Sequence, residues 1–96
     1  MSVQYNSIER VEQYLILASL RCPECGELGV TETPSGEVYK PADFEIESIE
    51  DWENQMTEEW HWMKKNREEV RAVSLLLSDT WPKACASLRH ELRQAE

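Results

Sequence analysis

Residues 48–78, SIEDWENQMTEEWHWMKKNREEVRAVSLLLS, decide the fold. Ile49, Trp52, Met56, Met63, Val70 and Leu77 recur through this stretch at spacings of three, four and seven, the period of one apolar helix face. Ser48 suits the N-cap, because its hydroxyl can accept one of the backbone N–H groups that a helix start leaves unpaired. Asp51 falls in the first turn, where the helix dipole favours a negative charge. As one rod the stretch would run about 45 Å at 1.5 Å per residue. That is long for a chain of 96 residues, so a break is expected near Thr57 or Asn66.

Working outward, Asp79-Thr80-Trp81-Pro82 restarts a last helix, since proline is tolerated in a first turn. Trp81, Ala84, Cys85, Leu88, Leu92 and Ala95 give that helix a clean apolar stripe over residues 80–95. Upstream, residues 6–20 read as a helix, with Asn6 as cap and Glu9 three residues on. Its apolar face is Ile8, Val11, Leu15 and Ala18, widened by Tyr14 and Leu17, although Tyr14 to Leu20 alone would also suit a buried strand. Between these helices, residues 30–33 and 37–40 flank Pro34-Ser35-Gly36 and predict a short β-hairpin, which Pro41 stops. Two strands alone are marginal in water, so the hairpin must lean on a helix. The expectation is a single domain over residues 1–96. It is mainly α (α+β), with three or four helices and a small β-hairpin next to a Cys-Pro-Glu-Cys-Gly turn at 22–26.

Charge is unevenly placed. The chain carries 19 acids and 10 bases, a net charge of −9 at pH 7. Residues 43–59 alone hold eight acids and no base. A field this negative repels phosphate, so direct binding to nucleic acid or to an anionic membrane is not expected, whereas a basic protein surface would be attracted. A solvated helix face is the plainer reading of the same run. No apolar run approaches the roughly 18 residues of a membrane span. Charged residues at Glu9, Arg10 and Glu12 do not suit a cleavable leader. The reading is of a soluble, cytoplasmic domain.

Three cysteines, an odd number, argue against a secreted disulfide framework. Cys22 and Cys25 can bind one tetrahedral metal, because a tight turn brings two sulfurs to one point. Pro23 stiffens that turn, and Gly26 permits the positive φ that lets backbone amides face the thiolates. The run resembles a zinc knuckle, the half-site of zinc ribbons and treble-clef fingers, over about five residues. A structural zinc takes four ligands, and the remaining candidates are His61, Cys85 and His90. Three readings stand open: zinc completed elsewhere in the chain, zinc shared between two such pairs in a homodimer, or a turn without metal. A redox pair of the thioredoxin kind fits poorly, since Gly26-Glu27-Leu28-Gly29 does not start a helix.

Four tryptophans are many for this length. Trp60 and Trp62 lie about 200° apart on a helix, so one face cannot bury both. Trp is also the residue most enriched at the energetic centres of protein interfaces. Trp52, Trp60 and Trp62, bordered by Glu50, Asp51, Glu53, Glu58 and Glu59, form the candidate partner-binding surface, with acids that steer and indoles that anchor. Acids spaced along a helix could also stand in for phosphates, as in a nucleic-acid mimic. Lys64, Lys65, Arg67 and Arg71 form a basic cluster interrupted by Glu68 and Glu69, which is expected to feed i,i+4 ion pairs. No Gly-rich phosphate loop, His-Glu-x-x-His, Gly-x-Ser-x-Gly or calcium-loop pattern occurs, and no enzyme is expected. The expected function is that of a non-catalytic acidic regulator or inhibitor acting on a protein with a basic or nucleic-acid-binding surface. In size, acidity and solitary motif the chain looks like the small accessory proteins of bacteriophages and mobile elements. The alternative is a zinc-knuckle transcription or nucleic-acid accessory module.

Overall fold

The apolar period of 48–78 becomes two helices. The computed structural model describes residues 5–94. Its elements are α1 (Tyr5–Ser19), β1 (Thr31–Glu32), β2 (Val38–Tyr39), a 3-10 turn (Pro41–Phe44), α2 (Ile49–Lys65), α3 (Arg67–Leu77) and α4 (Pro82–Gln94). The break falls at Asn66, whose backbone (φ −115°, ψ 36°) leaves the helical region. Its side-chain amide and its backbone N–H both donate to the Trp62 carbonyl, at 2.9 and 3.0 Å. Side-chain competition of this kind disfavours Asn inside helices. Thr57 stays helical, its hydroxyl donating back to the Glu53 carbonyl (2.8 Å).

The start of α2 is closed from both sides. Ser48 Oγ accepts the Asp51 N–H (3.2 Å), and the Asp51 carboxylate accepts the Glu47 N–H (3.0 Å). α1 is already helical at Tyr5, so Asn6 lies within it and does not cap it. Ser7 is buried and Ile8 packs on the core, so tertiary contact holds that first turn. The hairpin is shorter than expected: Thr31 pairs with Tyr39 and Glu32 with Val38. Gly36 adopts φ +92° in its turn, and Thr33 closes the turn by accepting the Glu37 N–H on its hydroxyl (3.0 Å). Pro41 does not simply end the hairpin. It opens the 3-10 turn, where the Asp43 carboxylate accepts the Lys40 N–H (2.9 Å).

Val11 and Leu15 of α1, Met63 of α2, Val73 of α3, and Leu88 and Leu92 of α4 meet in the main core. Each such buried aliphatic side chain contributes about 1.5–3 kcal/mol. A smaller cluster, Leu17, Leu20 and Ile46, carries Phe44 and Trp52 on its flank. α1 packs against both α2 and α3, while α3 carries α4. That order leaves a furrow between α2 and α4, floored by α1. Ala95, the last residue of the expected α4 stripe, lies outside the described residues. Among the described residues no helix is long and apolar enough to cross a membrane.

Candidate functional site

The acids and indoles of 43–63 do not form one continuous outward face. Trp52 turns inward, donating its indole N–H to the Leu17 carbonyl (2.8 Å). The Arg21 guanidinium covers its ring at 5.3 Å, and the same arginine pairs with Glu53 (3.6 Å). Eleven residues earlier in the chain, Arg10 of α1 repeats the arrangement. It stacks on Trp62 at 4.6 Å and pairs with Glu59 at 3.1 Å. Each arginine thus pins one indole and one carboxylate of α2 to the α1 segment. Such cation–π contacts are worth about 0.5–1 kcal/mol at exposed sites.

Asp43 and Asp51 serve as caps, as described above. Of the eight acids, Glu45, Glu47, Glu50 and Glu58 remain as exposed carboxylates without an ion pair among the described residues. Charge is also graded along α2, with Glu50 and Asp51 in its first turn and Lys64 and Lys65 in its last. This is the order the helix dipole favours.

Trp60 differs from the other two indoles of α2. Among the described residues it makes neither a hydrogen bond nor a cation contact, and it borders the furrow. The furrow consists of two adjoining hollows of about 240 and 440 Å³ that share Tyr14, Met56 and Glu91. Leu15 and Ala18 extend the floor, Leu88 and Ala84 form the α4 wall, and Trp60, His61 and Lys64 form the α2 rim. Burial, helped by the nearby Glu91 charge, pushes the Tyr14 phenol up to about 12. It therefore stays a neutral, amphipathic floor residue at any physiological pH. Sequence reading placed Trp60 in the candidate surface, put Tyr14 and Leu88 only on apolar helix faces, and did not single out Glu91. The bundle's packing order joins these residues, and no spacing within one helix encodes it.

The cysteine turn has the expected geometry on its first half. Gly26 takes φ +75°, and its N–H closes the turn on the Cys22 carbonyl (2.8 Å). The Cys25 N–H donates to Cys22 Sγ (3.4 Å). That amide, then the Cys25 thiol and the amides of Glu24 and Gly26, hold the Cys22 thiol below its ordinary range. Arg21 Nε donates to the Gly26 carbonyl (2.9 Å), so the arginine that covers Trp52 also ties the turn to α2. Cys85 is buried in the helical core, which raises its pKa. His61 and His90 are exposed on α2 and α4. Among the described residues, no three His, Cys, Asp or Glu side chains converge as a metal site. Compared with known proteins, the chain matches no family model, no curated protein and no solved structure.

Proposed function

We propose that the chain is a non-catalytic protein-binding module that receives a basic amphipathic segment of another protein in the furrow between α2 and α4. Trp60 is the anchor, and Tyr14, Met56 and Leu88 accept the apolar side of the segment. The observation that carries this reading is the contrast among the indoles: Trp52 and Trp62 are each covered by an arginine, while Trp60 borders open apolar surface. An amphipathic helix laid in a groove presents anchors at i, i+3, i+4 and i+7, and the furrow's extent along α1 and α4 suits that spacing. Glu50 and Glu58 on the outward face of α2, with Glu45 and Glu47 before it, supply the field that selects a basic partner and speeds its approach. Occupying a basic segment in this way would make the protein a regulator or inhibitor of whatever that segment otherwise binds.

Pull-down with the wild type beside Trp60→Ala and Glu50→Lys/Glu58→Lys tests the reading, with circular dichroism to establish that both variants fold. One basic protein retained by the wild type and lost by both variants supports it. Retention by folded Trp60→Ala, or capture of acidic proteins only, rejects it.

The N–H to sulfur bond in the cysteine turn favours a second reading, in which Cys22 and Cys25 are half of a tetrathiolate zinc site completed by a second copy of the chain. One zinc per two chains, with zinc and dimer lost together in Cys22→Ser, is the expected result of elemental analysis joined to light scattering. A monomer, with or without zinc, after expression in zinc-supplemented medium would discard this reading.

A further inference from the structure

Six arginines are present in the chain. Arg10 and Arg21 are engaged with α2 as described. The other four, Arg67 and Arg71 of α3 and Arg89 and Arg93 of α4, line one niche on the seam between those helices, with Leu92 between them. α3 and α4 are successive helices joined by a short turn and packed side by side. Each contributes an i,i+4 pair, and the two pairs face one another across the seam. Among the described residues none of the four makes an ion pair, in a chain that carries 19 acids. The expected i,i+4 pairing of this basic stretch with its neighbouring glutamates is therefore not what positions Arg67 and Arg71.

Physical chemistry makes this arrangement of like charges unfavourable by itself. Like charges at i,i+4 destabilise a helix, and here two such pairs are brought together. Among the described residues, moreover, no group accepts a hydrogen bond from the buried Arg67 Nε and Arg89 Nη1. A desolvated donor on a charged group is costly unless something accepts from it. The niche holds about 10 Å³, room for one water-sized atom. Arg71 and Arg93 stand exposed at its rim.

We infer that the α3–α4 seam is an oxyanion site for a phosphate group of the monoester class. One phosphate oxygen enters the niche and accepts from Arg67 Nε and Arg89 Nη1, and the outer oxygens accept from Arg71 and Arg93. Guanidinium forks match phosphate geometry and stay charged at every relevant pH. Four of them suit a dianion with three terminal oxygens better than a carboxylate with two. The site is independent of the partner-binding furrow, which uses other faces of α1, α2 and α4. Neither reading stands or falls with the other. Sequence held a trace of the site, the paired i,i+4 arginines at 67/71 and 89/93, but nothing in it aligned the two pairs.

The test is a titration of the full chain with inorganic phosphate against chloride at matched ionic strength, read by thermal unfolding and by the NMR signals of the arginine Nε–H groups. The companions are Arg67→Gln/Arg89→Gln and the solvent-facing Arg71→Gln/Arg93→Gln. Saturable binding should shift the Arg67 Nε–H resonance and raise Tm by about 4–8 °C at five times the Kd, and both variants should lose this response. Without phosphate at low salt, the variants should melt no lower than the wild type, because relief of repulsion offsets lost packing. A purely structural role for the arginines predicts the reverse. A rise in Tm that is linear in phosphate and the same in the variants would be general salt exclusion, and would overturn the site. So would phosphate binding that survives both double substitutions. Tight binding of a single-stranded oligonucleotide that phosphate does not displace would overturn it in favour of a nucleic-acid surface.

Discussion

Replacing Trp52 with Phe separates an indole used inside the fold from Trp60, the one proposed to meet a partner. The substitution removes the 2.8 Å hydrogen bond from the indole N–H to the Leu17 carbonyl, a neutral bond worth about 0.5–1.5 kcal/mol net. It also weakens the Arg21 contact, since Phe is a poorer cation acceptor than Trp and the whole interaction is worth about 0.5–1 kcal/mol. The Leu17 carbonyl is not orphaned, because it still accepts the Leu20 N–H at 3.2 Å. The expected cost is therefore about 1–2 kcal/mol, a fall in Tm of roughly 4–16 °C for a domain of this size. Urea unfolding followed by circular dichroism measures it, and an unchanged m-value shows that stability alone has moved. Trp60→Phe has neither a hydrogen bond nor a cation contact to lose, only part of its packing against the main core, and should cost less, about 0.5–1 kcal/mol. Equal costs for the two substitutions, or loss of partner binding by folded Trp52→Phe with no loss of stability, would refute the sorting of indoles on which the binding face rests.

Two further outcomes follow from titrating groups. In native protein iodoacetamide should modify Cys22 and Cys25 but spare Cys85 until unfolding, and the Cys22 rate should rise at a lower pH than that of a free thiol, because backbone amides favour its thiolate. A native Cys85 that reacts as fast as Cys22 would contradict its place in the core. Tyr14 should ionise only near pH 12, against 10.0 for an unhindered phenol. Its folded pKa is raised, so its contribution to stability is intact below pH 10 and declines between pH 10 and 12, as the unfolded chain alone releases the proton. Ultraviolet titration of wild type beside Tyr14→Phe measures this, and a difference spectrum already complete at pH 10 would reject the burial assigned to Tyr14.

The helices were legible because their signals are local. Ser48 caps α2 as its hydroxyl predicts, the break falls at one of the two expected sites, and Cys85, Leu88 and Leu92 of the α4 stripe are buried. The hairpin was legible in place but not in length, since only two residues of each strand pair and the rest of each run serves the turn. The candidate site was less legible, because its decisive contacts are distant in sequence. Glu59 is paired by a residue 49 positions away, and the Trp52 hydrogen bond spans 35. A charge count along the chain sees eight acids without a base, and it misses that Arg10 arrives from α1 and Arg21 from the segment just after it. The Tyr14, Trp60 and Leu88 furrow depends on α1 lying beneath α2 and α4, which no single-helix periodicity specifies.

Removing the paired and capping carboxylates from the count bears on what the acidic stretch is for. B-DNA presents one charge per roughly 1.7 Å of axis, and a protein that imitates it needs a comparable density along one line. Glu50 and Glu58 are about 12 Å apart along α2 at 1.5 Å per residue, a span over which the duplex would carry about seven charges. Between them Asp51 is committed to the cap and Glu53 to Arg21, so the outward face is too sparse to pass for a phosphate backbone. A few dispersed charges on the exposed side of α2, outside the furrow lining, are however enough for long-range steering. Such charges would raise the encounter rate with a basic segment while leaving its apolar side to make the contact. The spacing of the remaining exposed glutamates therefore argues against nucleic-acid mimicry and agrees with the proposed basic protein segment, for which Trp60 and the α1 floor are the proposed seat.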